Sequence, residues 1–158
     1  MVKRIVLASV IFMTAHFFVH AQATEVLYRV HMANVGWSGW SVNGELAGTT
    51  GQARQIEAMA ARVISNVPGG IRYNVHVQGA GWLGWSFDGE VAGTTGQGRR
   101  MEAIQVQLTG PLAQRYSVRY RVHMRGIGWS GWQMDGTIAG TTGQARRIEA
   151  IEIRLDPR

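Results

Sequence analysis

The 158-residue sequence contains no cysteine. That excludes a Cys nucleophile and Cys-based zinc sites, but it does not argue against export, because a domain of this size builds a sufficient core without disulfides. Lysine is nearly missing as well: Lys3 is the only one, and beyond it every positive side chain except histidine is Arg. There is no HExxH, no Ser-His-Asp order and no deaminase signature. The Gly-rich loops are not followed by Lys-Ser/Thr at P-loop spacing, and no His-x-x-x-His pair occurs in residues 24–158. No cofactor and no metal is expected. Long apolar runs are confined to the start. Lys3 and Arg4 precede a mostly apolar stretch from Ile5 to Val19, broken by Thr14 and His16, and Ala21-Gln22-Ala23 follows as a small-residue cleavage site. This three-part pattern predicts a secretory signal peptide over 1–23 and no membrane span after its removal; an uncleaved anchor is the alternative. Losing Lys3 and Arg4 and no acid takes the formal charge from +6 to +4. That balance is mild, and the Arg residues recur at equivalent places rather than in one run, so no nucleic-acid partner is expected. The expected location is secreted or cell surface, or periplasmic in a Gram-negative cell.

What the sequence does have is one unit written three times. Gly36-Trp37-Ser38-Gly39-Trp40, Gly81-Trp82-Leu83-Gly84-Trp85 and Gly128-Trp129-Ser130-Gly131-Trp132 are each followed by Asn/Asp-Gly (Asn43, Asp88, Asp135) and by Ala-Gly-Thr-Thr-Gly-Gln, which ends at Gln52, Gln97 or Gln144. Tyr-x-Val-His leads each copy and Arg-x-x-Glu-Ala closes it. The first Trp of each pair gives periods of 45 and 47 residues. A self-similar period in this range marks a repeat architecture. One domain is expected over 24–158, with repeats at about 24–66, 67–112 and 113–158.

The leading segments alternate. Tyr28, Val30 and Met32 share one face of a predicted strand, and Arg29 and His31 the other. The Gly-Trp stretch reads as an irregular strand, and each Asn/Asp-Gly pair as a hairpin turn. The closing segment of the first copy, Gln52 to Val63, is Ala-rich and helical by propensity. The third copy, Ile148 to Leu155, is β-branched and alternates, so all three closing segments are taken as strands. Thr109-Gly110-Pro111-Leu112 reads as a turn cluster between repeats. A three- or four-stranded sheet cannot bury its apolar face alone. Three such sheets closing around a pseudo-threefold axis solve this, which predicts an all-β, β-prism-like fold, with a β-trefoil as the alternative.

The candidate chemistry is also threefold. Each repeat carries two Trp and one His (His31, His76, His123). Trp combines a flat apolar face with one N–H donor, a surface suited to the C–H face of a sugar ring. Positions i and i+3 of an extended segment face opposite ways, so one Trp of each pair could be core and the other exposed, unless a bulge at the intervening Gly realigns them. The candidate ligand-binding residues are Trp37, Trp40, Asn43, Gln52 and Arg54; Trp82, Trp85, Asp88, Gln97 and Arg99; and Trp129, Trp132, Asp135, Gln144 and Arg146. Glu57, Glu102 and Glu149 are expected to brace the structure as partly buried carboxylates with donors around them. The three His residues are expected to bond a neighbouring strand or to line a site in each repeat. Asn43 cannot act as acid or base, so a catalytic carboxylate pair would be absent from the first repeat, which argues for binding over chemistry. No catalytic residue, and no enzymatic activity, is expected.

The three copies of Gly-Trp-x-Gly-Trp, (Asn/Asp)-Gly, Ala-Gly-Thr-Thr-Gly-Gln and Glu-Ala, each led by Tyr-x-Val-His, resemble the clostridial hydrophobic repeat with a conserved Trp (the ChW repeat). The resemblance covers essentially all of residues 24–158. It implies an exported or cell-surface, non-catalytic module whose repeats bind polysaccharide or protein. No enzyme or adhesion module accompanies the repeats in this sequence, so they are expected to act by themselves. The expectation is a lectin-like binder of a glycan or polysaccharide, with a cell-surface protein as the alternative partner and the oligomeric state left open.

Overall fold

The computed structural model describes residues 22–158. The signal-peptide expectation falls almost wholly on 1–21, outside the described residues.

Alternation builds the framework. In β1 (Glu25–Met32) every second residue is buried: Val26, Tyr28, Val30 and Met32 point inward, while Arg29 and His31 lie on the outer face. After β1 the chain runs through β2 (Gly36–Trp37), β3 (Ser41–Val42) and β4 (Ala47–Gly48) and returns as β5 (Ile56–Ile64). The second repeat gives β6 (Gly70–Val77), β7 (Gly81–Trp82), β8 (Ser86–Phe87), β9 (Ala92–Gly93) and β10 (Met101–Thr109). A six-residue helix, α1 (Gly110–Arg115), leads to the third. This repeat comprises β11 (Tyr116–Met124), β12 (Gly128–Trp129), β13 (Gln133–Met134), β14 (Ala139–Gly140) and β15 (Ile148–Pro157). The closing segments are thus strands in all three copies; burial of their apolar face overrides the helical propensity of the first. The linker expected as a turn cluster is instead α1, with Pro111 in its first turn, where a missing N–H costs nothing, and Leu112 buried against the core.

Each repeat supplies one long antiparallel hairpin, β1–β5, β6–β10 or β11–β15, with its two short strands on the leading member. The fifth strand of each sheet comes from a different repeat. The Ala-Gly strand β9 pairs with β5, β14 pairs with β10, and β4 of the first repeat pairs with β15 of the third. The exchange is therefore cyclic and joins the first repeat to the last. Three separate five-stranded sheets result, related by pseudo-threefold symmetry. This is the all-β, prism-like arrangement expected. The inner faces share one hydrophobic core, with Tyr28, Tyr73 and Tyr120 as its largest fully buried side chains.

The exchanged strand explains a glycine. In Gly93, φ is +106°, and a Cβ would lie 2.3 Å from the Glu57 carbonyl oxygen of the neighbouring repeat. Gly48 and Gly140 are in the same position, each 2.4 Å from the carbonyl oxygen of Glu149 or Glu102. No side chain fits where the two backbones meet.

Candidate functional site

Each hairpin carries a β-bulge at the same place. In β1–β5, His31 pairs with Ala58 and Met32 with Ile56, so Glu57 is the extra residue. Glu102 and Glu149 occupy the same position in the other two hairpins. A bulge re-aims a side chain, and here it brings each glutamate to the histidine of the facing strand. The carboxylates are 4–5% exposed. His31 Nδ1 lies 3.4 Å from Glu57, His76 Nδ1 3.1 Å from Glu102 and His123 Nδ1 3.5 Å from Glu149. These are ion-pair distances without hydrogen-bond alignment, and among the described residues the three Nδ1 atoms have no hydrogen-bond acceptor.

The second partner of the carboxylate differs between repeats. Arg100 Nε donates to Glu102 at 2.9 Å and Arg147 Nε to Glu149 at 2.8 Å. In the first repeat the equivalent residue is Gln55, whose Nε2 lies 3.1 Å from both Glu57 and the carbonyl of Gly98. A cavity of about 530 Å³ opens at this point between the first and second repeats. Its walls include His31, Asn34, Arg54, Gln55 and Glu57, and the Gly96–Gly98 loop of the second repeat.

Beside the His–Glu pair runs a stack of indoles and guanidiniums. His31 meets Trp37 edge-on, ring centroids 5.4 Å apart. The Arg29 guanidinium lies 4.7 Å from the ring centres of both Trp37 and Trp40, and Arg62 lies 4.9 Å from Trp40. The third repeat repeats this arrangement with Trp129, Arg121, Trp132 and Arg154 at 4.5–4.7 Å. There Glu152 also accepts from Arg121 Nε at 2.7 Å. The loop at the intervening glycine realigns each Trp pair, so that neither member enters the core; Trp37 is half-buried and Trp40 exposed.

The second repeat departs from this. Asn74 stands where Arg29 and Arg121 stand, and its Oδ1 accepts from the Gly84 N–H at 3.0 Å. Leu83 replaces Ser38 and Ser130, whose hydroxyls accept from the backbone N–H of Val30 and Val122. Arg72, held by Gln107 at 2.6 and 2.8 Å, covers Trp85 at 4.6 Å. Among the described residues, no guanidinium stacks on Trp82.

The turn residues lie apart from this cluster. Asn43, Asp88 and Asp135 accept hydrogen bonds from the backbone N–H of Val26, Ile71 and Val118 at 3.0–3.1 Å. Asp135 also pairs with Arg158. These side chains close their hairpins. Gln52, Gln97 and Gln144 are exposed on the loops, with Arg146 donating to Gln144 at 3.2 Å. Arg54 and Arg99 are exposed too, and Arg54 borders the cavity. The structure therefore joins Arg54 to His31 and Glu57 but leaves Asn43 elsewhere. Sequence reading missed the stacking role of Arg29 and Arg121, although both alternate with the histidine on the outer face. It also missed the contrast of Gln55 with Arg100 and Arg147, which a comparison of the three copies reveals.

The three tyrosines hold the other side of the sheets. Tyr28, Tyr73 and Tyr120 donate to the carbonyls of Glu45, Glu90 and Thr137. Burial pushes Tyr28 and Tyr120 up to about 12 and raises Tyr73 as well.

Fold and site together define a threefold all-β repeat protein with a Trp, Arg and His–Glu cluster on the outer face of each repeat. The family described as Clostridial hydrophobic W matches residues 31–63, 76–110 and 123–157, more than half of the chain, and the chain belongs to that family. No curated protein and no solved structure matches it. Among the described residues, no helix is long and apolar enough to cross a membrane, and no group of three or more His, Asp or Glu could hold a metal ion.

Proposed function

We propose that this protein is an exported, non-catalytic module that binds polysaccharide through its outer faces. The observation that carries the reading is the recurrence, in all three repeats, of half-exposed Trp beside Arg and a His–Glu pair at the rim of Gly-rich loops. Such a surface combines flat apolar area with convergent donors and acceptors, as a saccharide requires. Trp82 is the strongest candidate for stacking on a sugar, because the other indoles already carry a guanidinium. The non-catalytic reading is supported by the acids themselves: Asp88 and Asp135 are committed to backbone N–H groups, and Glu102 and Glu149 each to an Arg and a His. Weak sites repeated on one rigid body gain on a polymer through avidity. Titration of residues 24–158 with cell-wall polysaccharides should shift the intrinsic Trp fluorescence, and Trp82→Ala should weaken the response with the fold retained. An unchanged response in Trp82→Ala would remove that residue from the site.

A second reading, a protein partner, is favoured by exposed apolar side chains at equivalent positions: Leu46, Val91 and Ile138 are each 44–50% exposed. A cell-surface protein retained by the module and not displaced by saccharide would favour it.

A further inference from the structure

We infer that the cleft between the first and second repeats selects a ligand carrying a free primary amine, and, within the polysaccharide reading on which this rests, an amino sugar with an unacetylated amino group. Three otherwise equivalent carboxylate sites differ in one partner. Glu57, Glu102 and Glu149 are equally buried and each faces a histidine. Two of them also hold a guanidinium at hydrogen-bond distance, from Arg100 and Arg147. Among the described residues, Glu57 has only the neutral amide of Gln55 there. A buried carboxylate demands compensation by charge and hydrogen bonds, and His31 brings a full positive charge only when protonated.

The space beside Glu57 is where the compensation can come from. The cavity of about 530 Å³ reaches both Glu57 and His31, and its size is that of a small-molecule site. An ammonium presents three donors and a compact charge, and from the cavity it would bring Glu57 the positive charge that Arg100 and Arg147 bring in the sister repeats, with Gln55 still in place. Asn34 and Arg54 on the same wall offer partners to the ring hydroxyls and oxygens. The loop at Gly96 and Gly98 closes the far side, so the site belongs to two repeats. The chain's formal charge is positive, so a polyamine gains nothing from the overall field and its binding reports the local carboxylate.

The test is isothermal titration of residues 24–158 with four probes: glucosamine oligomers, the N-acetylated oligomers, an amine-free glucan oligomer and ethanolamine. The inference predicts that the free-amine oligomers bind about tenfold or more tighter than the other two saccharides, the order expected for a charge-assisted hydrogen bond at a buried carboxylate. Gln55→Arg, which installs the side chain already accommodated in the other repeats, should abolish the preference without lowering the melting temperature. Glu57→Gln should abolish it too. Equal binding of all three saccharides, or a preference that survives Gln55→Arg, overturns the inference and leaves the polysaccharide reading intact. Ethanolamine binding lost in Gln55→Arg, with no saccharide bound, keeps the amine site and overturns the polysaccharide reading. No binding of any probe overturns the inference, and the polysaccharide reading is then decided separately by the Trp fluorescence titration with cell-wall polysaccharides.

Discussion

At the scale of single residues, arginine is the side chain that distinguishes this surface. Arg29 and Arg121 each lie between two indoles, a role that a planar guanidinium fills and a lysine ammonium does not. Arg121 has a carboxylate partner in Glu152, whereas Arg29 Nε has no acceptor. Arg29→Ala is therefore expected to cost about 1–2 kcal/mol, the loss of stacking in a partly desolvated site. Arg121→Ala should cost more, because it also leaves Glu152 unpaired. Thermal denaturation of the two variants checks the order. The core tyrosines make a separate prediction. Their ionisation is raised in the folded state by burial, to about 12 for Tyr28 and Tyr120. A group whose folded value lies above its unfolded value stabilises fully below the unfolded value, here about 10, and that contribution is lost as pH rises through the folded value. The tyrosine contribution should thus be level below pH about 10, and stability should fall between about 10 and 12, with tyrosinate absorbance rising together with loss of β-sheet circular dichroism. Tyrosinate forming well before unfolding would contradict the burial of these rings.

At the scale of elements, the two-residue Ala-Gly strands have consequences out of proportion to their length. Each crosses to a neighbouring sheet, and its glycine passes against a glutamate carbonyl. Gly93→Ala meets both a positive φ and a backbone clash, and should destabilise by about 1–3 kcal/mol or more. Gly96→Ala has positive φ but nothing within 4 Å, so it should cost only about 1 kcal/mol. Comparable urea midpoints for the two would contradict the strand exchange. This exchange was not legible in the sequence, since a two-residue Ala-Gly strand is too short to show alternation and its partner, β15, lies about a hundred residues away. The long strands were legible because alternation is local: Tyr28, Val30 and Met32 identify the core face directly. The bulge at Glu57 escaped for the opposite reason. Strict alternation in Ile148 to Leu155 places Glu149 with the isoleucines, and only the register against β11 shows that it is the extra residue, turned toward His123. The Trp pairs were half legible. Spacing alone suggested opposite faces, but the Gly39 and Gly131 loops bring both indoles onto one guanidinium.

At the scale of the whole molecule, the repeats are alike in frame and unlike in surface. The cyclic exchange of short strands makes every sheet depend on another repeat, so folding is a property of all three together. Substitutions then diversify the outer faces without touching that frame. Asn74 removes one guanidinium and leaves Trp82 free of it, while Gln55 leaves Glu57 without the arginine of its sister sites, beside an open cleft. The repeat itself was plain in the sequence, whereas the inequality of the sites required knowing which side chains meet. Binding of polysaccharide by the outer Trp face, as proposed, can be followed by an NMR titration of the six indole N–H signals of ¹⁵N-labelled residues 24–158 as cell-wall oligosaccharides are added. Saturable shifts are expected, largest for Trp82 and smaller for the indoles already stacked on Arg29 and Arg121. Indole signals that stay fixed across bacterial, plant and animal oligosaccharides would contradict it.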